Sequence, residues 1–492
     1  MDLISPEFLL IFLPATLLLF HFSGKLSATM FPYAVLSSAT LFFYSFYGST
    51  SILALLMLVL ANFIFSHYIN AQSTRLITGL FVACNVLYLI FFKYIFLSDF
   101  LTQGEPNIIA LVGVSYFTLQ QAGYLMDLRS SNTRKLNFIE YSQFVLFFPI
   151  VTSGPIIRSH EFSDFFSKPK TISSEFLLVG LVIVSVGVSK KIFLSDPLGP
   201  GVSYVYDTMR ETTTFSEVWI ASIAFTLQVY FDFSGYSDIA IGLARCFGIV
   251  LPLNFLSPML ATNIQDLWLR WHMSMTRFFK DYVYTPISLR LTRLAFKRKW
   301  GRSANFAVTV ALPTILTFCL VGMWHNIGIN FLIFGILHGF AVTFYHWQSK
   351  KAGPYSRNHK IGNLFNWLVT VIFFVFTLVL FRAESPEVTM YVWQKMLIPD
   401  AFAVNFNVFD WRFFASMAFG TIIVLFSPSL PEFFQGQKIG LDYGVKIKKS
   451  ILGRLICWNK TRFWAALFGL ILGIALIVTS YQGLQTFVYV RF

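Results

Sequence analysis

The stretch ANFAVTVALPTILTFCLVGMWHNIGINFLIFGILHGFAVTFYHW (304–347) contains no Asp, Glu, Lys or Arg. Its two apolar runs, 304–323 and 328–347, meet at a short polar turn. Each run is about 20 residues, long enough to cross the hydrocarbon core of a bilayer as a helix. Arg290, Arg293, Lys297, Arg298, Lys299 and Arg302 precede the stretch; Lys350, Lys351, Arg357 and Lys360 follow it. Basic residues collect in the cytoplasmic loops of membrane proteins. The stretch therefore reads as a helical hairpin that leaves the cytoplasm and returns to it.

Working outward, the same parity continues. Two more apolar runs, 364–381 and 411–426, lead to a third basic loop with Lys446, Lys448, Lys449, Arg454, Lys460 and Arg462. The last run, 463–480, then places the C-terminus outside. Upstream, apolar runs occupy 8–22, 31–47, 52–70, 76–97, 108–126, 141–157, 176–195, 215–231 and 234–253. Several are short or broken by Gly and Pro. On the order of 11 true spans are expected, with the other runs re-entrant or buried in protein. Strict alternation is missing, so a β-barrel is excluded and the fold class is all-α, polytopic, over one domain of residues 1–492. No basic region precedes the first run, and 8–22 reads as a retained helix rather than a cleaved signal.

Composition agrees. Hydrophobic residues make up 56% of the 492 and charged residues 12%, against roughly 25% charged in soluble domains. The formal net charge of +14 does not point to nucleic acid, because the basic residues sit beside helix ends. Cys84, Cys246, Cys319 and Cys457 are scattered, with neither disulfide-framework nor zinc spacing. The segment 254–289, NFLSPMLATNIQDLWLRWHMSMTRFFKDYVYTPISL, is too polar to span freely. It reads as interfacial or re-entrant helices, with Trp268 and Trp271 at headgroup level and Arg270 and Arg277 paired to Asp266 and Asp281.

Polar residues inside apolar helices are costly and become candidates for function. His325 lies in GMWHNIG at the hairpin turn, His338 thirteen residues on, and His272 in RWHMS. A neutral histidine at such a place is suited to act as a general base; the alternative is a ring satisfied by a neighbouring helix carbonyl. For His338, beside Gly339, close packing is the expected role. Asp232, Ser234 and Asp238 lie in YFDFSGYSDIAIGLARCFG (230–248). Two carboxylates there suit acid–base work or an ion site. The favoured reading is an Asp–Arg pair with Arg245 and hydroxyl hydrogen bonds holding a broken helix. In FFPIVTSGPIIRSHEF (147–162), Pro149, Gly154 and Pro155 break the helix, and Arg158 and His160 follow at the membrane edge. GxSxG, GxxxxGK and HExxH are absent, so the chain has no serine-hydrolase elbow of its own, and no bound metal or resident cofactor is expected.

Taken together, LPLNFLSPMLATNIQDLWLRWHMSMTRFFKDYVYTPIS (251–288) and VGMWHNIGINFLIFGILHG (321–339) resemble the membrane-bound O-acyltransferase (MBOAT) family. The likeness is greatest to its AlgI branch of alginate O-acetyltransferase membrane subunits, which also holds peptidoglycan and cellulose acetylation proteins and is related to DltB-like D-alanylation proteins. SYFTLQQAGYLMDLRS (115–130), the SGP turn at 153–155, FRAES (381–385) and FVYVRF (487–492) extend the resemblance over nearly the whole chain, with the core motifs in 229–347. It implies a ring of helices around a thinner centre with a tunnel. His325 matches the family's central histidine and His272 its other recurring polar position. Trp324, Asn326, Asp232, Ser234 and Asp238 would line or support the tunnel. Asn326 stands where the family usually has Gly, and Ile150, Val151 and Thr152 replace a Gln-containing turn; both departures bear on the acceptor side.

The resemblance further implies an acetyl-CoA donor reaching the tunnel from the cytoplasm, its phosphates drawn to Lys297, Arg298 and Lys299 by charge, with Arg270 as a further donor-binding candidate. The acetyl group would cross a bacterial inner membrane and end on an extracytoplasmic polysaccharide, through a periplasmic SGNH-type or similar partner. Two alternatives stand beside it: D-alanyl transfer from a carrier protein to teichoic acid, and a transporter for lipid-linked sugars. The transporter leaves the Trp324–His325 pair unexplained, and no inverted repeat is evident.

Overall fold

The computed structural model describes residues 1–26, 31–69, 75–95, 111–129, 133–167, 171–208, 213–352, 360–435 and, with interruptions, 437–488. The C-terminal Phe492, Arg357, and Lys446, Lys448, Lys449 and Lys460 of the third basic loop lie outside the described residues. Within them, regular structure is helical apart from one isolated bridge between Pro252 and Leu441.

The main helices in chain order are Phe8–Leu26 (α1), Phe31–Ser45 (α2), Ser49–Tyr68 (α3), Arg75–Lys93 (α4), Val114–Asp127 (α5), Ser174–Tyr206 (α6), Phe215–Cys246 (α7), Met273–Phe279 (α8), Thr285–Lys297 (α9), Arg302–His325 (α10), Ile329–Ala352 (α11), Lys360–Arg382 (α12), Trp411–Phe426 (α13) and Phe463–Tyr481 (α14). Among the described residues, eight are long and apolar enough to cross a membrane: α1, α3, α4, α6, α10, α11, α12 and α14. That is fewer than the 11 or so expected. The run 31–47 gives a 15-residue helix, 411–426 a 16-residue one, and 141–157 dissolves into Phe138–Val145, Phe148–Val151 and a turn followed by irregular backbone.

Two expected runs, 215–231 and 234–253, are one helix. α7 continues unbroken for 32 residues through Gly235. It begins with a capping box between Thr214 and Glu217, which satisfies two of the first-turn amides. The glycines serve packing rather than a break. A Cβ on Gly187 would lie 2.5 Å from the Gly235 carbonyl, and one on Gly180 2.6 Å from that of Gly242. α6 and α7 thus run antiparallel with their backbones in near contact, the small-residue mode of helix association in membranes.

Across this seam the carboxylates of α7 find lysines, not Arg245. Lys190 pairs with Asp238 at 2.6 Å, and Lys191 with both Asp232 (2.9 Å) and Asp196 (2.7 Å). Arg245 stacks on the Phe176 ring instead, at 4.2 Å. Buried charges persist when paired in this way. The hairpin α10–α11 matches its expected form. Its two helices close on Gly322, where a Cβ would lie 2.1 Å from the Phe331 carbonyl.

Candidate active site

Between α7 and α8 the chain folds back on itself within the protein, its only helical pieces the short Pro258–Leu260 and Ile264–Trp268; longer helix in 254–289 comes with α8 and the start of α9. Leu256 N donates to the Arg270 carbonyl (3.0 Å) and Met273 N to that of Asn254 (2.9 Å), so the two arms of the loop run side by side. Non-helical backbone at this depth is tolerated where protein surrounds it. Trp268 and Trp271 are buried within the protein. Trp271 packs edge-on against Phe255 and Phe374. Arg270 pairs with Asp266 at 2.7 Å as expected and also donates to the Leu256 carbonyl (3.2 Å). Arg277 does not meet Asp281: it pairs with Glu161, and Asp281 pairs with Arg158. These are tertiary contacts between 158–161 and 277–281, which helical spacing does not reveal.

His272 ends the loop and caps α8. Its φ of 46° is left-handed, a conformation unfavourable for a residue with a Cβ and kept only where the surroundings impose it. Asn254 imposes it. Its Oδ1 accepts from Ser274 N (3.2 Å) and Ser274 Oγ (2.8 Å) and lies 3.2 Å from His272 Nδ1; its Nδ2 donates to Ser237 Oγ of α7 (3.2 Å). An amide oxygen only accepts, so Nδ1 of His272 carries the proton and Nε2 the lone pair.

His325 ends α10, fully enclosed, its ring centroid 6.4 Å from that of His272. Aromatic rings wall the pair. Phe233 meets His272 at 4.7 Å and Phe381 meets His325 at 4.9 Å; Tyr116 lies 6.4 Å from His272 and 5.6 Å from Trp324. The last turn of α10 is held from α4: Lys93 Nζ donates to the carbonyls of Trp324 (2.9 Å) and His325 (2.6 Å).

A cavity of about 790 Å³ adjoins this centre. Asn326, Phe331 and Phe381 form its wall beside His325, and Gln228, Asp207, Arg382 and Glu384 give it polar groups. Arg382 is tied to Asp207 at 2.6 Å. The volume falls in the range of sites for small organic groups, and its mixture of amides, carboxylates and aromatic faces suits a hydroxyl-rich ligand.

The other sequence candidates separate. Lys297, Arg298 and Lys299 are exposed at the end of α9, whereas Arg270 is buried in the His272 loop. Asp232 and Asp238 are engaged by the lysines of α6, and Ser234 is buried between them on α7. His338 is held on both sides: Trp268 Nε1 donates to its Nδ1 (3.1 Å), and its Nε2 lies 3.0 Å from Thr377 Oγ1. A ring so occupied is a packing element, as its GILHG setting suggested. Sequence reading missed Asn254 and Lys93. Lys93 had a signal, being the sole charged residue of the run 76–97. Asn254 had none, because its partners are assembled by the loop.

Residues 39–382 match the family model for MBOAT, the membrane-bound O-acyltransferase family. A peptidoglycan O-acetyltransferase of Helicobacter pylori is 30% identical over 437 residues, 80% of this chain and 79% of that protein. A probable alginate O-acetylase AlgI of Pseudomonas aeruginosa is 28% identical over 80% of this chain and 74% of its own length. A teichoic acid D-alanyltransferase of Bacillus subtilis is 28% identical over 51% of this chain and 64% of its length. With a helical bundle built to lie in a membrane and two buried histidines at its centre, the chain belongs to the membrane-bound O-acyltransferase family and is an acyltransferase.

Proposed function

We propose that the chain transfers acetyl groups from cytoplasmic acetyl-CoA to a hydroxyl on the outer side of a bacterial inner membrane, for O-acetylation of a cell-envelope polysaccharide. The observation that carries this reading is the buried His272–His325 pair, with a roomy polar cavity lined by the neighbours of His325, Asn326 and Phe381. A ring nitrogen of His325 takes the proton of the acceptor hydroxyl as its oxygen attacks the thioester carbonyl. The new C–O bond forms and the C–S bond breaks. The departing thiolate takes the proton back from the imidazolium, leaving His325 neutral for the next turn. His272, its tautomer set by Asn254, orients the donor or steadies charge developing at the carbonyl.

Acetyl is favoured over D-alanyl because the two relatives matching 80% of the chain carry O-acetyl names and the D-alanyltransferase matches 51%. The absence of a GxSxG elbow from the sequence favours a periplasmic partner of hydrolase type, whose serine would take the acetyl group and pass it to the glycan. The three basic loops would face the cytoplasm and the C-terminus the periplasm.

The test is single-turnover transfer from labelled acetyl-CoA by protein purified in detergent. His325→Ala should fold and lose transfer by at least about a hundredfold, the contribution of a positioned base. Near-wild-type transfer by a folded His325→Ala protein would refute the mechanism. Turnover with carrier-bound D-alanine and none with acetyl-CoA would replace the donor.

A further inference from the structure

Lys93 lies at the end of α4, in sequence 231 residues from Trp324, yet its ammonium reaches the last turn of α10. Nζ donates to the carbonyls of Trp324 (2.9 Å) and His325 (2.6 Å) and stands 5.9 Å from the centre of the Trp324 ring. The chemistry of a helix end explains why a cation belongs there. The last four carbonyls of an α-helix have no amide partner within the helix. Here the chain leaves helical geometry at once: Asn326 is extended, with φ −159° and ψ 148°, and its amide turns back to the Gly322 carbonyl. The carbonyls of Trp324 and His325 are thus left at the helix end, inside a membrane protein where water is scarce. An ammonium group answers both and also faces the negative pole of the helix dipole.

We infer that Lys93 is a positioning residue for acyl transfer: by clamping the two carbonyls that end α10, it fixes the backbone from which the His325 ring projects toward His272. The inference rests on the reading of His325 as the base. The carbonyl held at 2.6 Å is that of His325 itself, so movement of this anchor carries the ring with it. Topology does not account for Lys93. A lysine serving only as an inside-positive signal extends to the headgroups, whereas this one turns into the bundle and spends its donors on two carbonyls. Packing alone does not account for it either, since an apolar side chain of similar length fills the same space without donating.

The experiment compares Lys93→Met, which keeps the length and loses the donors, with Lys93→Arg, which keeps charge and donors. Both are measured as full-length protein in detergent for kcat, for the Michaelis constant of acetyl-CoA and for unfolding temperature, with His325→Ala alongside. A displacement of about 1 Å at a reacting group costs on the order of a hundredfold. Lys93→Met should therefore lose roughly that much kcat with the acetyl-CoA Michaelis constant within about twofold of wild type, the pattern of an interaction used in the transition state. Lys93→Arg should recover at least about a tenth of wild-type kcat, since guanidinium donors reach the same carbonyls. Wild-type kcat in Lys93→Met beside an inactive His325→Ala overturns the inference and leaves the base assignment standing. A kcat loss that Lys93→Arg does not relieve, with unfolding temperature falling in both variants, reduces Lys93 to a structural cap and overturns it as well. Activity in a folded His325→Ala protein overturns both.

Discussion

Replacing Asn254 with Ala removes one buried amide that serves three neighbours. The lost Oδ1 accepts from Ser274 N, Ser274 Oγ and His272 Nδ1–H; the lost Nδ2 donates to Ser237. The Ser274 hydroxyl can turn elsewhere, and its oxygen already accepts from Ile156 N. The Ser274 amide and the imidazole N–H cannot, and each stranded buried donor costs about 1–3 kcal/mol, so a loss of roughly 2–6 kcal/mol is expected. Catalysis should suffer separately. Without the Asn254 acceptor, His272 loses the contact that favours the proton on Nδ1, and a rate loss of about a hundredfold follows if its placement matters as a misplaced catalytic group does. Asn254→Asp keeps the acceptor, gives up the donation to Ser237 and adds a carboxyl group at a buried site. Its single-turnover rate should fall between those of wild type and Asn254→Ala. The two readouts are thermal unfolding in detergent and transfer from labelled acetyl-CoA. An Asn254→Ala protein that unfolds near the wild-type temperature and transfers within about threefold of wild type would refute the argument that this amide sets His272, because no misplaced group of consequence costs so little.

Lys191→Met should destabilise by about 3–5 kcal/mol, since it leaves Asp232 and Asp196 facing each other without their cation. Adding Asp232→Asn should restore much of the loss, and a double variant no better than the single one in denaturation would count against the pairing. His338→Ala should cost about 2–4 kcal/mol through the lost Trp268 and Thr377 contacts and the space left behind, while folded protein keeps most of its transfer activity. Abolished transfer at wild-type stability would instead place His338 in the chemistry.

The hairpin was legible because its information is local. Apolar length, basic flanks and a turn all lie within 304–347, and α10 and α11 follow them. α7 was misread for the opposite reason. The polar string DFSGYSD looks like a break to anyone who cannot see what stands across from it. The partners are Lys190 and Lys191, which lie inside the apolar run 176–195 with nothing in the sequence to show what they face. In the fold that run continues as helix to Tyr206, and its lysines turn toward α7. At the site, the motif around each histidine was visible. The groups that hold them were not, because they act from other elements: Asn254 through a loop that folds back on itself, and Lys93 through main-chain oxygens that carry no sequence signature.

The seam between α6 and α7 has a mechanical consequence. Glycine meets backbone at Gly180–Gly242 and at Gly187–Gly235, and two ion pairs lock the same interface further along. Surfaces joined through long flexible side chains can slide by exchanging rotamers; a seam of main chain against main chain has no such slack. Tilting α7 against α6 would open a gap along both glycine contacts and pull carboxylates from their lysines. Two helices welded in this way form one stiff unit, so any motion this protein makes must leave that pair intact.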